Sequence, residues 1–211
     1  MILEKALLPL NSFPSIAWFT VFLKASEIWI EAQENYQKQT FRNRYQILTA
    51  QGIKGLTIPV KKNRLQLVTD TTIDNKHNWQ RQHWKTLCTS YGKSPFFDYL
   101  ADELQPIFFK QWQYIFDLNM EVLTICQKIL KFHKQINLTK LYQKTTDIRL
   151  KDFRRCLSEP NDITMSKIVN FKDYTQVFGN KFVENLSILD LLFNEGLNSV
   201  KILEMNKLNV S

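Results

Sequence analysis

Three apolar segments share the first 31 residues, and their patterns restrict what the chain can become. Leu3 to Leu10 reads as a strand. Ser12-Phe13-Pro14 follows, a capping residue and then a proline suited to the first turn of a helix. Ile16, Phe19, Val21, Phe22 and Leu23 give that helix an apolar side as far as Ala25. Glu27-Ile28-Trp29-Ile30-Glu31 alternates as a half-buried strand does. Strand, helix, strand in so short a span predicts parallel pairing through a right-handed crossover.

Two β-rich runs, Arg44 to Thr49 and Lys54 to Val60, flank Ala50-Gln51-Gly52-Ile53 and predict a hairpin, with Pro59 at a strand end or edge. Val68 to Ile73 is a further candidate strand. From Asn78 the pattern turns helical: Asn78 caps, Trp79 to Tyr91 runs to a stop at Gly92, and Ser94-Pro95 restarts a helix. Ile115, Leu118, Val122, Ile125 and Ile129 mark a helix within Gln113 to Lys131 whose wide apolar face needs a core. Leu138 to Val177 has no clear period. Ser187 to Asp190 fits a capping box, in which Ser187 accepts from the Asp190 N–H, and Gly196 closes that helix. The fold class expected is therefore α/β, a mixed and partly parallel sheet packed by helices, with a helical second half.

The 211 residues suit one core, and five Gly and six Pro supply no linker, so one domain over 1–211 is expected. The longest apolar runs, such as Ile188 to Phe193, fall well short of the roughly 20 residues a bilayer requires, so no membrane span is expected. The start lacks the basic and long apolar regions of a secretory signal, which points to a cytoplasmic protein. Cys88, Cys126 and Cys156 match neither a disulfide framework nor a zinc spacing and read as buried free thiols. His77, His83 and His133 are equally scattered, so no metal is expected, and nothing in the sequence names a cofactor.

Charge is unevenly placed on this chain of formal net charge +8. Tyr36 to Arg64 carries Lys38, Arg42, Arg44, Lys54, Lys61, Lys62 and Arg64 and no Asp or Glu. Lys128 to Arg155 carries nine Lys or Arg against Asp147 and Asp152. Such fields attract phosphate-bearing partners, among them nucleotide sugars and RNA, although a basic solvated surface needs no partner. The G-x-S-x-G, G-x-x-x-x-G-K and G-x-G-x-x-G motifs are all missing, so any phosphate must be held by side chains.

Two clusters offer those side chains. Arg42 and Arg44, two apart, would share one face of a strand as paired guanidinium forks suited to a diphosphate or carboxylate. Tyr36, Lys38 and Asn43 flank them. In the second cluster Trp79 and His83 share a helix face, Trp84 follows, and Tyr91 leads into Tyr91-Gly92-Lys93-Ser94-Pro95-Phe96-Phe97. His83 is the candidate general base, and its competing role is that of a packed core histidine. Asp98 and Asp102 read as solvated charges near a helix start.

Together, Phe13 to Ile16, Asn35 to Arg44, Leu56-Thr57-Ile58-Pro59-Val60, Trp79 to Lys85, Tyr91 to Phe97 and Asn185 to Phe193 resemble the WbqC-like protein family over most of the chain. The resemblance implies a bacterial setting in surface-polysaccharide gene clusters and a transferase that places an aminoacyl group such as glycine on an O-antigen sugar. Ser12 and Glu184 depart from the family pattern, which has an aromatic residue and a proline there. On this reading Arg42, Arg44 and Lys38 hold phosphate or carboxylate, Tyr36 and Trp84 stack, and His83 takes a proton. An aminoacyl-tRNA donor would track the basic face. The alternatives are a nucleic-acid or anionic-ligand binding module and a structural partner in a biosynthetic complex. All three require the Tyr36 to Arg64 cations to gather around a hollow.

Overall fold

The computed structural model describes residues 3–61, 66–142, 150–159 and 168–209. The opening forms as its pattern requires: β1 (Leu3–Leu8), α1 (Ile16–Lys24) and β2 (Ala25–Ile30), with β1 parallel to β2 and Leu8 opposite Ile30. The helix starts later than Ser12 suggested, because Phe13 takes φ 40° and turns the chain before Pro14. Ser15 becomes the cap, its Oγ accepting from the Trp18 N–H. The Ser12 hydroxyl instead lies 2.7 Å from Asn119 Oδ1.

β5 (Ile136–Leu138) adds beside β2 and β6 (Leu150–Asp152) beside β1, giving a four-stranded parallel sheet in the order β5-β2-β1-β6. All four carboxyl ends therefore face the same way. α1 is buried on every side from Ile16 to Phe22, as an all-round apolar helix must be. Trp18 stacks on Phe22, and the helix is covered by α5 (Ile188–Glu195) and α6 (Ser199–Met205). Asn206, just past α6, donates from Nδ2 to Thr20 Oγ1 at 2.7 Å.

The hairpin is β3 (Arg44–Thr49) and β4 (Gly52–Thr57), with Gly52 at φ 99° in the turn, where a side chain would be strained. Val68 to Ile73 is not a strand. Val68–Asp70 is a single tight 3₁₀ turn, and Thr71 Oγ1 donates back to the Leu67 carbonyl, so local bonds displace a ladder. Only single bridges follow, Thr72 to Tyr114 and Ile73 to Val60. Then come α2 (Trp79–Tyr91), α3 (Phe97–Phe109) and α4 (Ile115–Ile129). α3 begins after Ser94, whose hydroxyl donates to the Tyr91 carbonyl instead of capping. A small antiparallel pair, β7 (Val169–Asn170) and β8 (Lys207–Leu208), closes the chain. Among the described residues no helix is long and apolar enough to cross a membrane.

Asp190 on α5 does not complete a capping box. Ser187 Oγ accepts from Leu189 N, while the Asp190 carboxylate turns into the core and accepts from Tyr91 OH at 2.7 Å, Tyr174 OH at 2.5 Å and Gln176 Nε2 at 3.0 Å. Burial raises its pKa, and the three donors pull the other way. One fully buried carboxylate thus joins α5, α2 and the 174–176 segment. Gly196, at φ 53°, ends α5 against the Phe96 ring, where a Cβ would approach within 2.6 Å.

Replacing Asp190 with Ala leaves two buried hydroxyls and an amide without their acceptor. We expect a loss of roughly 2–4 kcal/mol in urea unfolding. A loss under about 1 kcal/mol would show that the three donors find water instead.

Candidate functional site at the strand ends

In open sheets with parallel strands, ligands bind beyond the carboxyl ends. There β2 runs into Glu31, which is completely buried. Its Oε2 accepts from Arg154 Nη1 at 2.7 Å, and its Oε1 accepts from Thr139 Oγ1 at 2.6 Å and Gln33 N at 2.9 Å. Thr139 follows β5 and Arg154 follows β6, so one carboxylate gathers the ends of three strands. Arg154 also forks onto Asp152, with Nη2 to Oδ2 at 2.6 Å and Nε to Oδ1 at 3.0 Å, and lies 4.8 Å over the Tyr142 ring.

A second buried pair stands beside this network. Arg42 Nε and Nη2 donate to the two oxygens of Glu34 at 2.7 and 2.6 Å, and the two residues are 1% and 5% exposed. Arg42 Nη1 is buried without a partner. Both networks border a cavity of about 380 Å³, lined by Glu34, Gln37, Arg42, Tyr142, Asp152, Arg154, Arg155, Ser158 and Glu159.

Among the described residues five buried side-chain polar atoms lack partners, and four belong to Asn11, Arg42, Asn43 and Arg44; the fifth is Trp79 Nε1. Asn11 donates to the Leu157 carbonyl, next to Ser158 on the cavity wall. Three of the five thus fall on consecutive residues, Arg42 to Arg44, of which Arg42 lines the cavity.

Of the residues the sequence offered, Arg42 lines this cavity, and Tyr36, Asn43 and Arg44 are near it in the chain without lining it. Burial pushes the Tyr36 hydroxyl up to about 12, against the pull of the positive Arg44 and Arg42. Asn43 donates to the Ile58 carbonyl, and Lys38 is exposed. The expected strand-face pair of forks does not form: Arg42 precedes β3 and turns into its ion pair, while half-buried Arg44 begins the strand. The second cluster lies elsewhere in the core. Trp84 packs on Phe97 and Phe108, and Tyr91 bonds Asp190 and the Leu48 N–H. His83 sits 3.0 Å from Tyr45 OH through Nδ1, and none of these three lines the cavity. Burial pushes the His83 pKa down to about 4, a hydrogen bond with the Thr57 backbone opposes this, and the Lys54 charge adds to it.

The acid-free stretch does not converge on one hollow. Arg42 lines this cavity, Lys54 borders a different one, Lys61 is exposed, and Lys62 and Arg64 lie outside the described residues. Lys144 and Arg149 of the second basic stretch also lie outside them, whereas Arg154 and Arg155 line the cavity. Sequence reasoning missed Glu31, Glu34, Tyr142, Asp152, Arg154 and Glu159. The available signal was Glu31, an acid closing an apolar strand.

Glu31→Ala takes one of two carboxylates from the buried Arg154 and leaves the Thr139 hydroxyl and the Gln33 N–H without their acceptor, and urea unfolding should show a loss of roughly 2–4 kcal/mol; a near-neutral variant would mean that Asp152 and water make good the loss. For His83 the folded pKa is depressed from 6.5 to about 4, so its contribution is present above pH 6.5 and is lost as the pH falls through that window. The full difference is about 3 kcal/mol at 1.4 kcal/mol per pKa unit. Melting curves of His83→Gln should lose that part of the acid dependence, and an unchanged slope would contradict the assignment.

A model of the WbqC-like protein family matches residues 11–161 and 157–202, which include Arg42, Glu34, Glu31 and Arg154. Uncharacterized protein Rv1507c of Mycobacterium tuberculosis (strain ATCC 25618 / H37Rv) is 29% identical over 217 residues, spanning 90% of this chain and 93% of that protein. No solved structure matches significantly.

Proposed function

The chain belongs to the WbqC-like protein family, and on that premise we propose that it is a transferase of surface-polysaccharide assembly whose sugar substrate occupies the strand-end cavity. The observation that carries this reading is Arg42, a residue of the cavity lining whose buried Nη1 has no hydrogen-bond partner. A guanidinium held rigidly by two bonds to Glu34 points its remaining donor without further ordering cost.

The lining selects the ligand class. Arg42, Arg154 and Arg155 face Glu34, Asp152 and Glu159, so the charges balance. A bare phosphate gains little there, because the paired carboxylates repel it. A polyol suits it better: carboxylates accept from hydroxyls, guanidinium N–H groups donate to them, and Tyr142 supplies an aromatic wall. The balance also counts against a module built only to hold anions. A cavity of about 380 Å³ fits one sugar unit.

Glu159 has no ion-pair partner among the described residues, and it takes the proton from the attacking hydroxyl or amine. In this reading the buried His83 holds β4 and Tyr45 to α2 and does not handle the proton. Tyr36, Asn43 and Arg44 are close to Arg42 in the chain and support it from outside the cavity lining, Lys38 is exposed, and Trp84 and Tyr91 support α2 from within. The donor is a phosphate-bearing molecule: an aminoacyl-tRNA, whose ester bond breaks as an aminoacyl group such as glycine passes to an O-antigen sugar and free tRNA leaves, or a nucleotide sugar, which passes on its glycosyl group and leaves as the nucleotide.

Thermal shift separates these possibilities when the wild type, Glu159→Gln and Tyr142→Ala are screened against amino sugars, nucleotide sugars, amino acids and tRNA. Sugars should stabilise the wild type by about 2.7 kcal/mol at a hundred times the dissociation constant, and Tyr142→Ala should lose most of it. Glu159→Gln should retain binding while losing turnover. A flat response to every sugar would overturn the reading.

A further inference from the structure

A second hollow, of about 340 Å³, lies between the tip of the β3–β4 hairpin and α2. Thr49 and Lys54 border it from the hairpin, Lys85, Thr86 and Ser90 from one face of α2, and Phe178 from the segment after β7. No acidic residue lines it, and neither Lys54 nor Lys85 has an ion-pair partner among the described residues. Two ammonium groups thus border one hollow from separate elements, a gathering of positive charge that an anion would complement. The hydroxyls of Thr86, Thr49 and Thr89 are each committed at 2.8 Å to the carbonyls of Gln82, Gly52 and Lys85, which leaves the lysines as the charged donors, beside the Gln51 amide and the Ser90 hydroxyl.

We propose that this hollow is a separate ligand site for a nucleotide-sized phosphate ester, its phosphate on Lys54 and Lys85 and its planar base against Phe178. Cationic donors at one side and an aromatic side chain at the other are what such a molecule requires. The site is independent of the sugar cavity. From Arg44, which adjoins Arg42, to Thr49 at the tip the hairpin runs five residue steps, roughly 17 Å at 3.4 Å per step. One mononucleotide does not span that distance, so the two cavities hold different molecules.

The test uses the full chain with uridine monophosphate, uridine and inorganic phosphate as probes, followed by calorimetry. Uridine monophosphate should bind more tightly than either fragment. Lys54→Ala and Lys85→Ala, both at exposed positions, should each weaken it about tenfold with melting temperature unchanged, and Phe178→Ala should weaken uridine along with the nucleotide. Binding should also fall as salt rises. Absence of binding at millimolar probe, or affinity unchanged in both lysine variants, overturns the proposal. So does an equal loss in Glu159→Gln, which would move the nucleotide to the strand-end cavity and leave the sugar reading to be judged by its own ligands.

Discussion

A carboxylate with no solvent contact, Glu31, is the point on which the strand ends converge. Burying it is costly unless every lone pair is used, and here a guanidinium, a hydroxyl and a backbone N–H use them. Its two side-chain partners lie 108 and 123 residues away, so those bonds require β5 and β6 to be in place beside β2 and β1. The network therefore fixes the geometry of the cavity mouth as well as holding the sheet together. Arg42 and Glu34 repeat the arrangement at shorter range, with one difference: the second pair leaves a donor open.

That difference separates support from the recognition proposed for Arg42. Arg154 is clamped between Glu31 and Asp152, and its role is to position the wall. Arg42 is clamped by Glu34 through two of its three nitrogens, which makes the third a preorganised donor. Because each guanidinium brings its own carboxylate, the cavity is not a basic trap. The excess positive charge of the chain sits partly elsewhere, including at the hairpin tip around Lys54 and Lys85.

The parts of the fold that could be read from sequence are those with a period. β1, α1 and β2, the hairpin, and the α2 and α4 helices follow from alternation, turn chemistry and spacing at three and four. Segment 138–177 has no such period, and its described residues contribute short strands, side chains of a polar network and six of the nine residues that line the cavity. Arg42 was legible as a ligand-binding candidate, but its partner was not, because the acid-free stretch begins just after Glu34. His83 shows the opposite limit. A helical face shared with Trp79 is visible in the sequence, yet which face turns inward depends on Tyr45 and the Thr57 backbone across the core.

The central claim is that Arg42 holds a sugar oxygen through its free nitrogen, and arginine side-chain ¹⁵N spectra of the protein titrated with a hexosamine address it most directly. The account predicts that the Arg42 guanidinium resonances shift and saturate together with a Tyr142 ring signal, while Arg154 moves less. Saturable binding that leaves Arg42 unmoved, or perturbations confined to the hairpin tip, would contradict it.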